Sequence, residues 1–97
     1  MVRMKNVDVE IYLNQFISFF DKNPNDLIDL IGDINKGVFY KKIEEQCYKN
    51  FENGDEVSLT QKQIIDIVIS IKKVEQVDEK KILGVFQKTK FGMISLN

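Results

Sequence analysis

The chain has 97 residues and a mass of 11.3 kDa, which is enough for one small domain with a hydrophobic core. Hydrophobic residues make up 43% of the sequence and charged residues 30%, which is typical of a folded domain, and the net charge is only −1. The sequence has no histidine and a single cysteine, Cys47, which excludes histidine-based catalysis, histidine-containing zinc sites and an internal disulfide.

The first two predicted helices are separated by a proline. From Asp8, a good N-cap residue, apolar residues recur at steps of three and four, which predicts a helix over 8–22. Asn23 and Pro24 suit the start of a second helix over 24–32, because asparagine caps helices and proline fits the first helical position. The apolar faces of these helices consist of Val9, Tyr12, Leu13, Phe16, Phe19 and Phe20, and of Leu27, Leu30, Ile31 and Ile34.

A third helix is predicted over 36–53. Its apolar residues recur every four positions, and Gly54 follows as a typical end signal. Tyr40 and Tyr48 flank the apolar face, so we expect their hydroxyl groups to reach the surface. The face itself consists of Phe39, Ile43, Cys47 and Phe51.

Two interpretations compete for the next segment. Thr60 and Gln63 fit a capping box, and the apolar residues that follow have a helical period, which predicts a helix over 60–76. Isoleucines at alternate positions over 64–71 would also suit a β-strand. We prefer the helix because the cap is good and because isoleucine is abundant throughout the chain. Such a helix is apolar around most of its circumference, so we expect it at the centre of the fold.

A last helix is predicted over 79–88, with Asp78 as its N-cap. The segment 89–97 alternates roughly between apolar and polar residues and is predicted to be an extended C-terminal tail. It is too apolar for a free end, so we expect it to dock on the helices or to pair with a strand, in this chain or in another. The apolar residues of the tail are Phe91, Met93, Ile94 and Leu96.

These elements predict an all-α fold, a compact bundle of four or five short helices with an extended C-terminal tail. The sequence contains no repeat and no linker rich in proline or glycine. We therefore expect residues 1–97 to form a single helical domain. Within it, residues 1–7 are predicted to be a loose N-terminus and residues 89–97 a docked or strand-pairing tail.

The junction between the first two helices resembles the first half of an EF-hand calcium loop. Asp21, Asn23 and Asn25 occupy the positions of the first three oxygen ligands. The resemblance ends there, because Asp26 replaces the glycine of the sharp turn and Gly32 replaces the bidentate acid. We therefore expect a helix–loop–helix without metal, and no cofactor.

Charge is distributed unevenly along the chain. Residues 1–61 hold seven basic and eleven acidic residues, whereas residues 62–97 hold seven basic and four acidic ones. The plain interpretation is a solvated surface whose halves attract each other; the alternative is a contact for an anionic partner or a second copy. Residues 60–88 could also form a DNA-binding helix-turn-helix, but 72–77 is long for the turn and Arg3 is the only arginine.

The chain has no recognisable catalytic motif. Glu44 and Glu45 are adjacent on a predicted helix, so their side chains point about 100° apart and cannot share a proton. No nucleophile stands near a recognisable base, and the glycines are scattered singly, so no phosphate-binding loop is present. We therefore predict that the protein is not an enzyme.

The thiol content and the hydropathy pattern indicate a cytoplasmic protein. The longest apolar runs contain three residues, so we expect no transmembrane helix, no signal peptide and no membrane partner. Cys47 is expected to be a small buried hydrophobic residue in a reducing compartment. The absence of alanine and the excess of lysine over arginine are typical of an AT-rich genome, which is compatible with a small viral accessory protein.

Taken together, these features predict a non-enzymatic interaction or regulatory protein. The alternative is a weak nucleic-acid-binding protein that uses its lysine-rich C-terminal half. A domain of this size has too little interior to hide all of its apolar residues, so we expect a homodimer with the tail in or near the interface. The predicted contact residues are Lys80, Lys81, Lys88, Lys90, Phe91, Met93, Ile94 and Leu96.

Overall fold

Helices account for 77% of the described residues, which confirms the predicted all-α class. The computed structural model describes residues 6–33 and 35–89, and no β-strand occurs within these ranges. The tail predicted over 89–97 therefore lies outside the described residues, except Thr89, which is the last residue of a helix. The helices are α1 (Val7–Lys22), α2 (Pro24–Ile31), α3 (Lys36–Glu52), α4 (Gln61–Lys72) and α5 (Glu79–Thr89).

The first helix begins earlier than predicted because a different residue caps it. The side-chain oxygen of Asn6 accepts a hydrogen bond from the backbone N–H of Val9 at 3.1 Å, so Asn6 and not Asp8 is the N-cap. Asp8 lies in the first turn instead, where its negative charge interacts favourably with the positive end of the helix dipole. The loose start predicted for residues 1–7 is thus wrong for its last two members, and residues 1–5 lie outside the described ranges.

Pro24 begins α2 as predicted, but the side chain of Asn23 does not cap this helix, and the helix ends at Ile31, one residue before the predicted end. Pro24 is its first residue, and the side chain of Asn23 donates to the carbonyl of Phe19 at 2.9 Å, so that asparagine closes α1. Gly32 ends α2 with φ of 68°, a backbone conformation that a residue with a side chain adopts only with strain. Its N–H donates to the carbonyl of Ile28 at 2.7 Å.

The segment after residue 59 is a helix and not a strand. Both hydrogen bonds of the predicted capping box are present: Gln63 N–H donates to the Thr60 hydroxyl at 3.1 Å, and Thr60 N–H donates to the Gln63 side chain at 3.0 Å. The helix stops at Lys72, four residues before the predicted end. Lys73 has a left-handed backbone with φ of 55° and ends the hydrogen-bond ladder.

The core lies where α1, α3, α4, α2 and α5 meet. α1 packs against α2 and α3, and α4 packs against α2, α3 and α5. The predicted central position of α4 is shared with α2, which contacts α1, α4 and α5. Four phenylalanines connect α1 to α3 and α5 in the core. The ring centroids of Phe16 and Phe86 are 5.2 Å apart, and those of Phe20 and Phe39 are 6.2 Å apart.

Three aromatic side chains of α3 differ from the prediction. The hydroxyl of Tyr40 was expected to reach the surface, but it is buried and has no hydrogen-bond partner among the described residues. Tyr48 is buried, and its hydroxyl accepts from the N–H of Asn6 at 3.1 Å and donates to Glu10 at 3.4 Å. It joins α3 to the start of α1 instead of reaching solvent. Phe51, which shares the predicted apolar face, is 49% exposed because it lies at the end of α3, one turn beyond that contact.

A buried polar network holds the connection between α3 and α4. Asn50 is 3% exposed, and its amide pairs with that of Gln63 through two hydrogen bonds of 3.0 and 2.9 Å. The Asn50 amide also donates to the carbonyl of Ser58 at 3.3 Å. One residue further on, the buried N–H of Leu59 donates to the hydroxyl of Tyr12 in α1 at 3.1 Å. Three helices are thereby fixed at the point where α4 begins.

Replacing Tyr12 by phenylalanine tests this connection. The variant leaves the buried Leu59 N–H without a partner, so we expect the free energy of unfolding to fall by about 1–3 kcal/mol in a urea titration. Tyr40→Phe is the matched control. It removes a buried hydroxyl with no hydrogen-bond partner among the described residues, so we expect a change within about 0.5 kcal/mol. Equal losses in the two variants would contradict this assignment.

Lys73→Gly tests the left-handed end of α4. Glycine adopts a positive φ without the strain that a lysine bears, so we expect the free energy of unfolding to rise by about 0.5–1 kcal/mol. Lys72→Gly is the control, because Lys72 is still helical and glycine there should cost about 0.5–1 kcal/mol. Thermal unfolding of the two variants would show shifts of opposite sign.

Candidate interaction surface

Two of the three predicted contact lysines on α5 face a neighbouring helix. Lys88 Nζ lies 3.3 Å from Asp26 Oδ1, and Lys81 Nζ lies 4.0 Å from Asp29 Oδ1, so both lysines meet acidic residues of α2. Lys80 is exposed and has no ion-pair partner among the described residues. The other predicted contact residues lie outside the described ranges: Lys90, Phe91, Met93, Ile94 and Leu96.

These ion pairs join the acidic half of the chain to the basic half. Asp26 is only 18% exposed at its side chain, so its pair with Lys88 is better shielded from solvent than the pair of Lys81 with Asp29. Exposed pairs contribute only about 0–1 kcal/mol each to stability. Their larger effect is to lower the positive potential of α5, which disfavours binding of a polyanion at this helix.

The residues that resemble an EF-hand loop form a helix junction. Asp21 lies 4.0 Å from the ammonium group of Lys36, and the Asn23 amide is used to close α1. Pro24 already belongs to α2. Within residues 6–33 and 35–89, no three acidic or cysteine side chains come together in a way that could hold a metal ion.

An apolar groove lies beside α2, between the end of α1 and the start of α3, and we call it the α2 groove. It has a volume of about 310 Å³, at the lower limit of cavities that enclose small molecules. Phe20, Leu27 and Ile31 form its buried floor, and Ile28 on its wall is 51% exposed. The complete lining consists of Phe20, Asp21, Pro24, Leu27, Ile28, Ile31, Gly32, Asp33 and Lys36.

The rim of the α2 groove is charged. Asp21 and Lys36 pair across one edge, while Asp33 is exposed and has no ion-pair partner among the described residues. The rim therefore has a small excess of negative charge around an apolar floor. An apolar floor inside a polar rim is the common arrangement of surfaces that bind other proteins.

Sequence analysis did not predict the α2 groove, although one signal was present. The predicted core face of α2 contained Leu27, Leu30 and Ile31, and all three are buried. Ile28 is a large apolar residue that lies outside that predicted face, about 60° around the helix from Ile31. An apolar residue beside the core stripe of an amphipathic helix can mark a second contact surface.

Two other cavities have polar walls. One of about 190 Å³ lies between α3 and α4, where Lys42, Glu45 and Asp66 contribute charges of both signs. The other, of about 330 Å³, lies beside the α4–α5 connection and is bordered by the ion pair of Asp29 and Lys81. Neither cavity contains a histidine or a cysteine, and their charges largely neutralise each other. They have less apolar surface to offer a partner than the α2 groove.

Burial shifts three titratable groups away from neutral pH. Burial, and to a smaller degree the charge of Glu44, raises the pKa of the Cys47 thiol to about 12. Burial raises the pKa of Tyr12 to about 12 although the N–H of Leu59 opposes the shift, and it raises the pKa of Tyr40 to about 12 as well. All three groups are protonated at neutral pH, and Cys47 is buried, as predicted.

These shifts predict alkaline unfolding. In the unfolded chain the thiol loses its proton near its ordinary pKa of 9.0 and the phenols near 10.0, whereas in the folded chain all three hold theirs to about 12. The free energy of unfolding should be fully present below about pH 9 and fall as the pH rises to about 12. Denaturant titrations across this range would measure it. In Cys47→Val the decline should begin near pH 10 instead, and a flat profile to pH 11 would contradict the assignment.

Two further findings concern membrane spans and known proteins. No helix within the described ranges combines the length and the apolar character that a membrane span requires. Comparison with protein-family models, with curated proteins and with solved structures gave no match, so a functional assignment depends on the residues of this chain.

Proposed function

We propose that this protein is a non-enzymatic, cytoplasmic interaction module that binds protein through the α2 groove and associates with a second copy of itself. The observation that carries the proposal is an apolar groove whose wall residue Ile28 is half exposed. Because Ile28 is 51% exposed, covering the rest of its side chain gains about 0.8–1.5 kcal/mol, which is half of the ~1.5–3 kcal/mol for complete burial of an exposed side chain.

Protein binding is favoured over nucleic-acid binding by the arrangement of α5. Lys81 and Lys88 already meet Asp29 and Asp26, so a phosphate backbone would have to compete with these carboxylates. The connection between α4 and α5 spans the six residues 73–78, whereas a helix-turn-helix has a turn of about three or four. Lys80 remains available to an anionic partner, but a single lysine on one helix offers weak electrostatic attraction.

Sedimentation of the full chain tests self-association through the groove. We expect a dimer at about 100 μM and a dissociation constant that rises by about 100-fold in Ile28→Glu, since two copies of the side chain leave the interface. Ile11→Glu is the matched control, because Ile11 lies on α1 and is 53% exposed, close to the 51% of Ile28. Association through an apolar face should change little between about 50 and 200 mM salt.

Three results would contradict the proposal. The first is a monomer at about 100 μM that does not associate when concentrated further. The second is equal weakening by Ile28→Glu and Ile11→Glu, because the groove would then have no special role. The third is saturable binding of oligonucleotides that falls steeply with salt and is lost in Lys80→Glu, which would favour the nucleic-acid alternative.

A further inference from the structure

We infer that Asn53 and Gly54 form a self-modification site, at which the side-chain amide of Asn53 is hydrolysed and an acidic residue takes its place. The reaction needs only water as its co-reactant and does not depend on the proposed protein binding. It follows from the succession of these two residue types, from their exposure at the end of α3, and from the backbone geometry of the turn.

The reaction is an attack of the main chain on its own side chain. The backbone nitrogen of Gly54 loses its proton to hydroxide and bonds to Cγ of Asn53, the Cγ–Nδ2 bond breaks, and the amide nitrogen takes a proton from water and leaves as ammonia. The product of this step is a five-membered succinimide ring. One water molecule then opens the ring at either of its two carbonyl carbons. Opening gives aspartate, or isoaspartate, in which the main chain continues through Cγ.

Gly54 distinguishes this pair from the other asparagines of the chain. A side chain on the following residue crowds the attacking nitrogen, whereas glycine has no Cβ. Apart from its two chain neighbours, no described residue has an atom within 4 Å of the place where a Cβ on Gly54 would stand. Six other asparagines lie in the described ranges, and each precedes a residue that has a side chain: Asn6, Asn14, Asn23, Asn25, Asn35 and Asn50.

The surroundings of Asn53 leave its amide available for the reaction. Asn53 and Gly54 are both exposed, and the Asn53 side chain makes no hydrogen bond with the described residues. Asn50, one turn earlier in α3, is the opposite case, since it is 3% exposed and its amide is bonded to Gln63. Of the two asparagines at the end of α3, only Asn53 can therefore turn its side chain towards the next peptide group.

The folded turn delays the reaction without preventing it. The N–H of Gly54 donates to the carbonyl of Phe51 at 3.0 Å, so the proton that must leave is held in a hydrogen bond. At Asn53 ψ is −2°, which means that the backbone nitrogen of Asn53, and not its Cβ, eclipses the nitrogen of Gly54. Ring closure needs Cβ in that position because the ring is nearly planar. The turn must therefore open locally before the chain reacts.

The product weakens the connection between α3 and α4. A new carboxylate at residue 53 lies at the negative end of the α3 dipole, in an acidic stretch with Glu52 and Asp55. Isoaspartate also adds one carbon to the main chain between Asn50 and Asp55, whose backbone hydrogen bond of 2.8 Å closes the turn. Because Asn50 holds the cap of α4 through Gln63, a change at residue 53 disturbs the place where α4 begins.

Incubation of the folded full chain at about pH 8, below the range of alkaline unfolding, tests the site. Peptide mapping by mass spectrometry follows every asparagine. We expect Asn53 to be converted at least about tenfold faster than any other, with isoaspartate among its products, and the rate to rise with pH. Asn53→Gln is the matched control, because it keeps an exposed amide but would need a six-membered ring, and residue 53 should then stay intact.

Two results of this incubation would overturn the inference. The first is conversion of another asparagine ahead of Asn53. The second is an Asn53 that stays intact in the folded chain while the chain unfolded in urea converts it at the same pH, because the turn would then not open.

Urea distinguishes local opening from global unfolding. Local opening exposes little surface, so below the unfolding transition we expect the rate constant at Asn53 to change by less than about twofold and to stay at least about tenfold below that of the unfolded chain. A rate constant that rises in parallel with the unfolded fraction would overturn local opening.

The purified isoaspartate form tests the effect on the fold. We expect it to unfold at a lower urea concentration than Asn53→Asp, which carries the new charge without the added carbon, and Asn53→Asp to unfold below the original chain. Equal midpoints for all three would overturn the inferred weakening of the connection between α3 and α4.

Discussion

The hydrogen bonds at the start of α4 are the constraint on which the rest of the structure depends. The buried N–H of Leu59 would cost about 1–3 kcal/mol without a partner, and the hydroxyl of Tyr12 provides one from α1. Beside it, the paired amides of Asn50 and Gln63 join α3 to the cap of α4. Because α4 in turn packs against α2, α3 and α5, the place where it begins determines how the remaining helices meet.

The short helix α2 has a different role on each of its sides. Leu27, Leu30 and Ile31 face the core, and Asp26 and Asp29 face the lysines of α5. The remaining side forms the wall of the apolar groove. One helix therefore both lowers the positive potential of the basic half and provides the surface to which we assign protein binding. These two properties are linked, because the orientation that directs the carboxylates towards α5 also leaves Ile28 in solvent.

Sequence patterns located the candidate lysines but could not show what they contact. Lys81 and Lys88 were predicted as part of a partner surface, and both meet carboxylates that precede them by more than fifty residues in the chain. No local pattern encodes such a pairing, since it depends on how α5 lies against α2. The same holds for Tyr48, whose hydroxyl was expected in solvent and instead binds the start of α1. Both features depend on contacts between helices that are distant in sequence.

The sequence by itself determined the helices, because apolar period, caps and breakers act within a few residues. The capping box of Thr60 decided that the isoleucine-rich segment is helical, against its strand propensity, and Pro24 and Gly32 mark both ends of α2. The burial of Tyr48 against the start of α1, the ion pairs of α5 and the α2 groove were decided by the tertiary structure. Each depends on which neighbour covers a given side of a helix, and burial is a property of the packed chain that no short window of sequence contains.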